Sequence, residues 1–258
     1  MSLWDYKDEN DFKEKCGYEI DGAWYPRVTK IIDIKSKPAL YFYYGEATSY
    51  KAAQDSTKKA AEEGTMIHEI SEAILLGKNP EVPPVIKPAI SAFIDYLERN
   101  NIQTSPELVE RRICNKDERY AGTIDAMVLM DGKFGVMDIK TSQGIYRDYN
   151  LQTSAYMASL SKEFKNLQTR WIMRIDQIHT CLNCPTTMRP KGDRKKVRKP
   201  WPRKGSVCAD DTHEWGELKG IIEVKEFPNW QNDFDAFLGA KKLWEWENEN
   251  WLKKVKYI

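Results

Sequence analysis

Residues 121–140, AGTIDAMVLMDGKFGVMDIK, decide the fold. Two apolar, strand-forming runs flank Asp131-Gly132, a two-residue turn signal, so the segment reads as a β-hairpin. With Asp131 and Gly132 in a type I′ turn, Met130 pairs with Lys133, and stepping back in register sets Asp125 opposite Asp138. Two carboxylates then share one face with their Cβ atoms about 5 Å apart. Like charges so placed destabilise a sheet unless something compensates them, and a hard divalent cation with oxygen ligands does so. Lys140 falls on the same face because side chains repeat every second residue along a strand. Two metal-binding carboxylates and one cation suit phosphodiester hydrolysis.

An Asp-x-Lys tripeptide alone is a weak signal, and its surroundings strengthen it. Met127, Leu129, Phe134 and Val136 share the face of the aspartates, while Ile124, Ala126, Val128, Met137 and Ile139 are expected on the other. A hairpin apolar on both sides belongs at the centre of an α/β sandwich. Charges there cost free energy unless paired or metal-bound.

The chain has 258 residues with 41% hydrophobic content, enough for one substantial core, so residues 1–258 are expected to form a single domain. No apolar run approaches the roughly 18 residues of a membrane span, and no signal peptide is evident. The expectation is a soluble, cytoplasmic protein without a membrane partner. Net charge is +1, but nine Lys and Arg between Arg189 and Lys204 face one acid, Asp193. The remainder holds 31 basic and 38 acidic residues, a net of −7. Positive charge is therefore concentrated in a single segment suited to phosphates.

Around the hairpin, residues 18–25 read as an extended pair turning at Asp21-Gly22 and running into residues 26–32. Helices are expected over residues 58–76, 86–99 and 150–161, and strands over residues 108–114, 171–178 and 218–225. A final amphipathic helix presents Phe234, Phe237, Leu238, Leu243, Trp244 and Trp251 as core anchors. This order gives an α/β fold with a mixed central β-sheet flanked by helices.

Residues 179–216 interrupt a strand pair and form a Cys-rich, basic insertion. The five cysteines are an odd number, which favours reduced thiols or metal ligands over disulfides. Cys181-x-x-Cys184, followed by Cys208 and His213, has the ligand types and paired spacing of a structural Zn²⁺ site, with His179 as the alternative to His213. A metal would give this long loop a core and pin the basic run, with Trp201, as a cationic finger for a phosphate backbone.

Several motifs in order carry a resemblance: Pro26-x-Val28-Thr29, Gly64 to His68 (GTMIH), Glu110, Gly122-x-x-Asp125, Asp138 to Ser142 (DIKTS) and Gln152-x-x-x-Tyr156. The chain resembles the RecB-like branch of the PD-(D/E)XK nuclease superfamily, and within it single-strand DNA exonucleases of the mitochondrial genome maintenance and phage type. The resemblance spans residues 26–161 and implies a restriction-endonuclease-like core. It also implies an Mg²⁺- or Mn²⁺-dependent deoxyribonuclease acting on single-stranded DNA or free ends in repair, recombination or replication. His68, Asp125, Asp138 and the Ile139 carbonyl would ligate the metal, with Glu110 assisting and Lys140 activating water. Thr141, Ser142, Gln152 and Tyr156 would meet the DNA strand, and the aromatic residues 41–44 would offer a stacking surface for bases. Two alternatives stand beside it. One is a CRISPR-adaptation type RecB-like nuclease whose iron-sulfur cluster would use Cys16, Cys181, Cys184 and Cys208. The other is a catalytically idle nucleic-acid-binding module.

Overall fold

The hairpin forms in the expected register. Strand β4 (Tyr120–Met130) pairs antiparallel with β5 (Lys133–Lys140), Met130 opposite Lys133. Asp131 and Gly132 both have positive φ, 51° and 73°, as a type I′ turn requires. The computed structural model describes residues 6–200, 208–209 and 212–258; Trp201, Arg203 and Lys204 of the basic run lie outside them.

Strand β3 (Val109–Asn115) flanks β4 antiparallel, and β6 (Thr169–Thr180) lies parallel to β5 on the other side. A parallel neighbour needs a crossover, which α6 (Tyr149–Leu160) supplies. Strand β9 (Lys219–Glu226) pairs antiparallel with β6, so the sheet is mixed. The chain is therefore a mixed α/β structure, with helices on both faces of its central sheet.

One core packs on the face covered by α6, α1 (Glu9–Cys16), α2 (Val28–Ile32), α7 (Gln231–Glu247) and α8 (Glu249–Lys254). It holds Phe12, Val28, Tyr120, Met127, Val136 and Phe237. The other lies under α4 (Tyr50–Leu75) and α5 (Lys87–Arg99), with Ile67, Phe93, Val128, Met137 and Met173. Together they bury the hairpin on both sides.

The structure corrects several expectations. Ile124 packs with Tyr120 and Met127, not with Ala126, and on β3 Val109 and Ile113 fall in different cores despite their even spacing. Both strands thus change face at one level, between the pairs Val109–Ala126 and Arg111–Ile124, where Glu110 has φ of 48°. Residues 28–32 are helical, α4 begins eight residues before the expected start, and the last helix breaks at Asn248 into α7 and α8. Leu243 is exposed rather than a core anchor. The insertion holds its own hairpin, β7 (Thr187–Lys191) with β8 (Arg194–Arg198), turning at Gly192 and Asp193, both at φ 60°.

Gly122 faces the Tyr156 ring so closely that an added Cβ would lie 2.7 Å from Cε1. Gly122→Ala is expected to destabilise the protein by about 1–3 kcal/mol through overpacking, read as a lower midpoint in urea denaturation; an unchanged midpoint would mean that α6 yields without penalty.

Candidate functional site

Three acids sit at one level of three neighbouring strands: Glu110 on β3, Asp125 on β4 and Asp138 on β5. The backbone ladder of the hairpin stops one step before the two aspartates, at Ala126–Met137. Beyond it, the Ile139 N–H donates to Asp125 Oδ2 at 2.6 Å, so a side-chain carboxylate stands where a strand carbonyl would otherwise accept. This fixes Asp125 at the open end of the hairpin.

Asp138 is fully buried. Its Oδ1 accepts from Gln152 Nε2 at 3.0 Å. Its Oδ2 is 2.7 Å from Lys140 Nζ, but the ammonium lies off hydrogen-bonding direction, and this buried oxygen has no hydrogen-bond donor. A buried carboxylate oxygen held by an ion pair alone, at the edge of a partly open site, is the type of atom a hard cation takes. Lys140 Nζ also lies 5.3 Å from the centre of the Tyr149 ring.

His68 comes from α4, whose Gly64 leaves room for strand β5's continuation: a Cβ there would lie 2.7 Å from Thr141 Oγ1. His68 Nδ1 is 4.0 Å from Asp125 Oδ2. Burial, then the neighbouring Lys140, lowers the imidazole to about 4, so the ring is neutral at pH 7 and has a free lone pair. Burial raises both Asp125 and Asp138 above the usual carboxylate range, and Lys140 only partly offsets it. Desolvation followed by Asp125 and Glu72 pushes Glu110 up to about 7. Burial works against the charge on Lys140, but Asp138 and Asp125 outweigh it and hold the ammonium above the ordinary lysine value.

Of the expected DNA contacts, Gln152 and Tyr156 are buried, while Thr141 and Ser142 are half-buried. Tyr156 is buried in the core and accepts at its hydroxyl from Gln152 Nε2 at 2.9 Å. Gln152 is itself buried and holds Asp138, so this pair positions a carboxylate rather than meeting a strand. The Ser142 hydroxyl donates to Gly144 O within its own turn. The Thr141 carbonyl accepts from Arg189 Nη2 at 2.8 Å and Lys191 Nζ at 2.6 Å. Those two cations belong to the basic run, whereas Arg174 and Asp176 beside them are added by the fold. Their signal was present: Arg174 and Asp176 interrupt an apolar strand at a spacing of two.

A second group is more tightly gathered. Cys181, Cys184, Cys208 and His213 bring their ligand atoms within 4.8 Å of one another, a set that can hold a metal ion such as zinc. Among the described residues, His68, Glu110, Asp125 and Asp138 do not close into such a group. Cys184 Sγ is 3.6 Å from His213 Nδ1. Burial opposes ionisation of Cys184, but hydrogen bonds from Thr186 and from the Cys208 amide outweigh it and bring the thiol to about 6, so the ligand form, the thiolate, is favoured. His179 is not part of the group; its Nδ1 is 2.7 Å from Gly216 O. The four-cysteine set of the iron-sulfur alternative is not assembled. Cys16 is buried in the core beside Phe12, its Sγ 3.0 Å from Tyr6 OH.

No protein-family model matches this chain, and no curated protein matches it. Among the described residues, no helix is long and apolar enough to cross a membrane.

Protein purified without chelator is expected to contain zinc, with one ion per chain. The Cys181→Ser/Cys184→Ser variant is expected to lack it and to melt at least about 5 °C lower, at roughly 2–4 °C per kcal/mol for a chain of this size. Metal analysis finding neither zinc nor iron in fresh protein would rule the metal centre out.

Proposed function

We propose that the protein is a metal-dependent deoxyribonuclease with a PD-(D/E)XK, restriction-endonuclease-like core. Its substrate in this reading is single-stranded DNA with a free end, and its setting DNA repair, recombination or replication. The observation that supports this most is the convergence of Glu110, Asp125 and Asp138 at one level of three strands, with Lys140 2.7 Å from Asp138.

Asp125, Asp138 and neutral His68, with the Ile139 carbonyl, are the residues that would hold Mg²⁺ or Mn²⁺, and Glu110 would bind waters of the ion. When bound, such an ion supplies Lewis acidity and lowers the pKa of a coordinated water. The chain's own groups do the rest. Lys140 keeps its proton between two carboxylates and offers positive charge where the phosphoryl oxygens accumulate negative charge. Gln152, held by Tyr156, locks Asp138 in one orientation, so the site has little to reorganise. The Ile139 amide does the same for Asp125.

A second reading, a catalytically idle nucleic-acid-binding module, is favoured by one feature. Lys140 Nζ pairs with Asp138 Oδ2 at 2.7 Å, and among the described residues the carboxylates with His68 do not close into a metal-holding group.

The two readings separate in digestion of end-labelled single- and double-stranded DNA with Mg²⁺, Mn²⁺ or EDTA. A nuclease shortens single strands only with the cation, and Lys140→Ala lowers the rate by at least about 10²-fold while DNA binding persists. Asp125→Asn is expected also to raise the cation concentration needed. Absent cleavage with binding retained would favour the idle module, and undiminished cleavage in both variants would remove the site assignment.

A further inference from the structure

Next to the carboxylates, a cleft of about 100 Å³ is lined by four cations, Arg174, Arg189, Lys196 and Arg198, around one carboxylate, Asp176. Arg174 is the register partner of Lys140 across the parallel β5–β6 pair. Trp171, Met173 and Ile175 pack in the core under α4 and α5, so Arg174 and Asp176 point to the opposite face, that of Asp138 and Lys140. The cleft therefore continues the face of the candidate active site, its Arg174 lying one strand over from Lys140. Its near wall is Gln143, three residues beyond Lys140.

The charges in this cleft are not balanced. Arg174 Nη1 and Arg189 Nε both lie on Asp176 Oδ2, at 2.7 and 2.6 Å, so one buried oxygen serves two guanidinium groups. Glu223 takes the other side of Arg174 from the rim, at 2.8 Å. On β8, Lys196 and Arg198 reach the cleft from alternate positions of one strand face, are exposed, and form no ion pair among the described residues. The lining is polar, the volume suits a single small anion, and the excess charge is positive.

We propose that this cleft holds a phosphate of the DNA strand flanking the scissile one, with Arg189 at its floor and Lys196 and Arg198 at its rim. The proposal rests on the nuclease reading of the neighbouring site. It assigns the basic hairpin to a defined phosphate position rather than to diffuse attraction, because one of its cations, Arg189, is fixed by two hydrogen bonds before any ligand arrives.

The test is fluorescence anisotropy of a labelled oligothymidylate about 20 nucleotides long, titrated in EDTA over a range of salt concentrations, with wild type, Lys196→Ala/Arg198→Ala and the charge-conserving Lys196→Arg/Arg198→Lys. Both side chains are exposed, so the alanine pair is expected to melt like wild type. It is expected to bind about tenfold more weakly at moderate salt, and its slope of log K against log salt is expected to be smaller by about 0.7, at 0.7 per phosphate contact on a single strand. The charge-conserving pair is expected to keep both slope and affinity. Wild-type affinity and slope in the alanine pair, or equal loss in the charge-conserving pair, would overturn the cleft assignment; cleavage by the wild type would then still uphold the nuclease reading. A wild type that neither binds nor cuts single strands would overturn both.

Discussion

The bond from the Ile139 amide to Asp125 Oδ2 governs the rest of the site. By taking an amide that the β4–β5 ladder would otherwise use, the carboxylate ends the ladder and leaves Asp138 facing it from inside the sandwich. A buried carboxylate needs compensation, and the fold supplies a donor from α6 and the positive charge of Lys140 on the same strand. Gln152 reaches Asp138 because Tyr156 supports it, and Tyr156 fits because Gly122 has no side chain. The same helix is the crossover that lays β6 parallel to β5 and brings Arg174 alongside Lys140. The local exchange of hydrogen-bond partner, the helix that compensates Asp138 and the row of charges on β6 thus meet at one level of the sheet.

What was legible in the sequence is what obeys a short-range rule. Asp131-Gly132 demanded positive φ at both turn positions, and from that single constraint the register of the hairpin follows. The alternation of side chains was legible down to Ala126 and failed at Ile124, because strict alternation presumes an unbroken ladder and Glu110 adopts the left-handed region at that level. A non-glycine residue with positive φ inside a strand leaves no compositional trace. Gln152 and Tyr156 were found as a pair by their spacing of four, but whether they face a ligand or a neighbouring carboxylate depends on where α6 docks, and spacing does not contain that.

The insertion shows the same limit from another side. Its cysteine spacing pointed to the ligand group that the fold gathers, since a paired x-x spacing is local geometry. The basic run, in contrast, read as a free cationic finger, and much of it is committed to the fold. Gly192 at the tip packs so tightly on α4 that a Cβ would lie 2.5 Å from Ser56 O, and the Gly192 carbonyl accepts from Ser56 Oγ at 2.8 Å. Asp193 pairs with Lys59, Arg194 lies over the Tyr43 ring, and Arg189 and Lys191 hold the Thr141 carbonyl.

The hairpin is therefore pinned at its tip by α4 and at its base by strand β6 and the cysteine group, and between them it crosses the end of β5 one residue beyond Lys140. A metal at the base would lower the freedom of β7 and β8 and, through two hydrogen bonds to one carbonyl, the freedom of the segment that follows Lys140. Because Arg189, Lys191 and Arg194 are engaged in this docking, a ligand meets mainly the outward side chains of β8. Among the described residues, counting charge along the sequence overstates what the segment presents to an anion, because Arg189, Lys191 and Arg194 are already engaged within the fold.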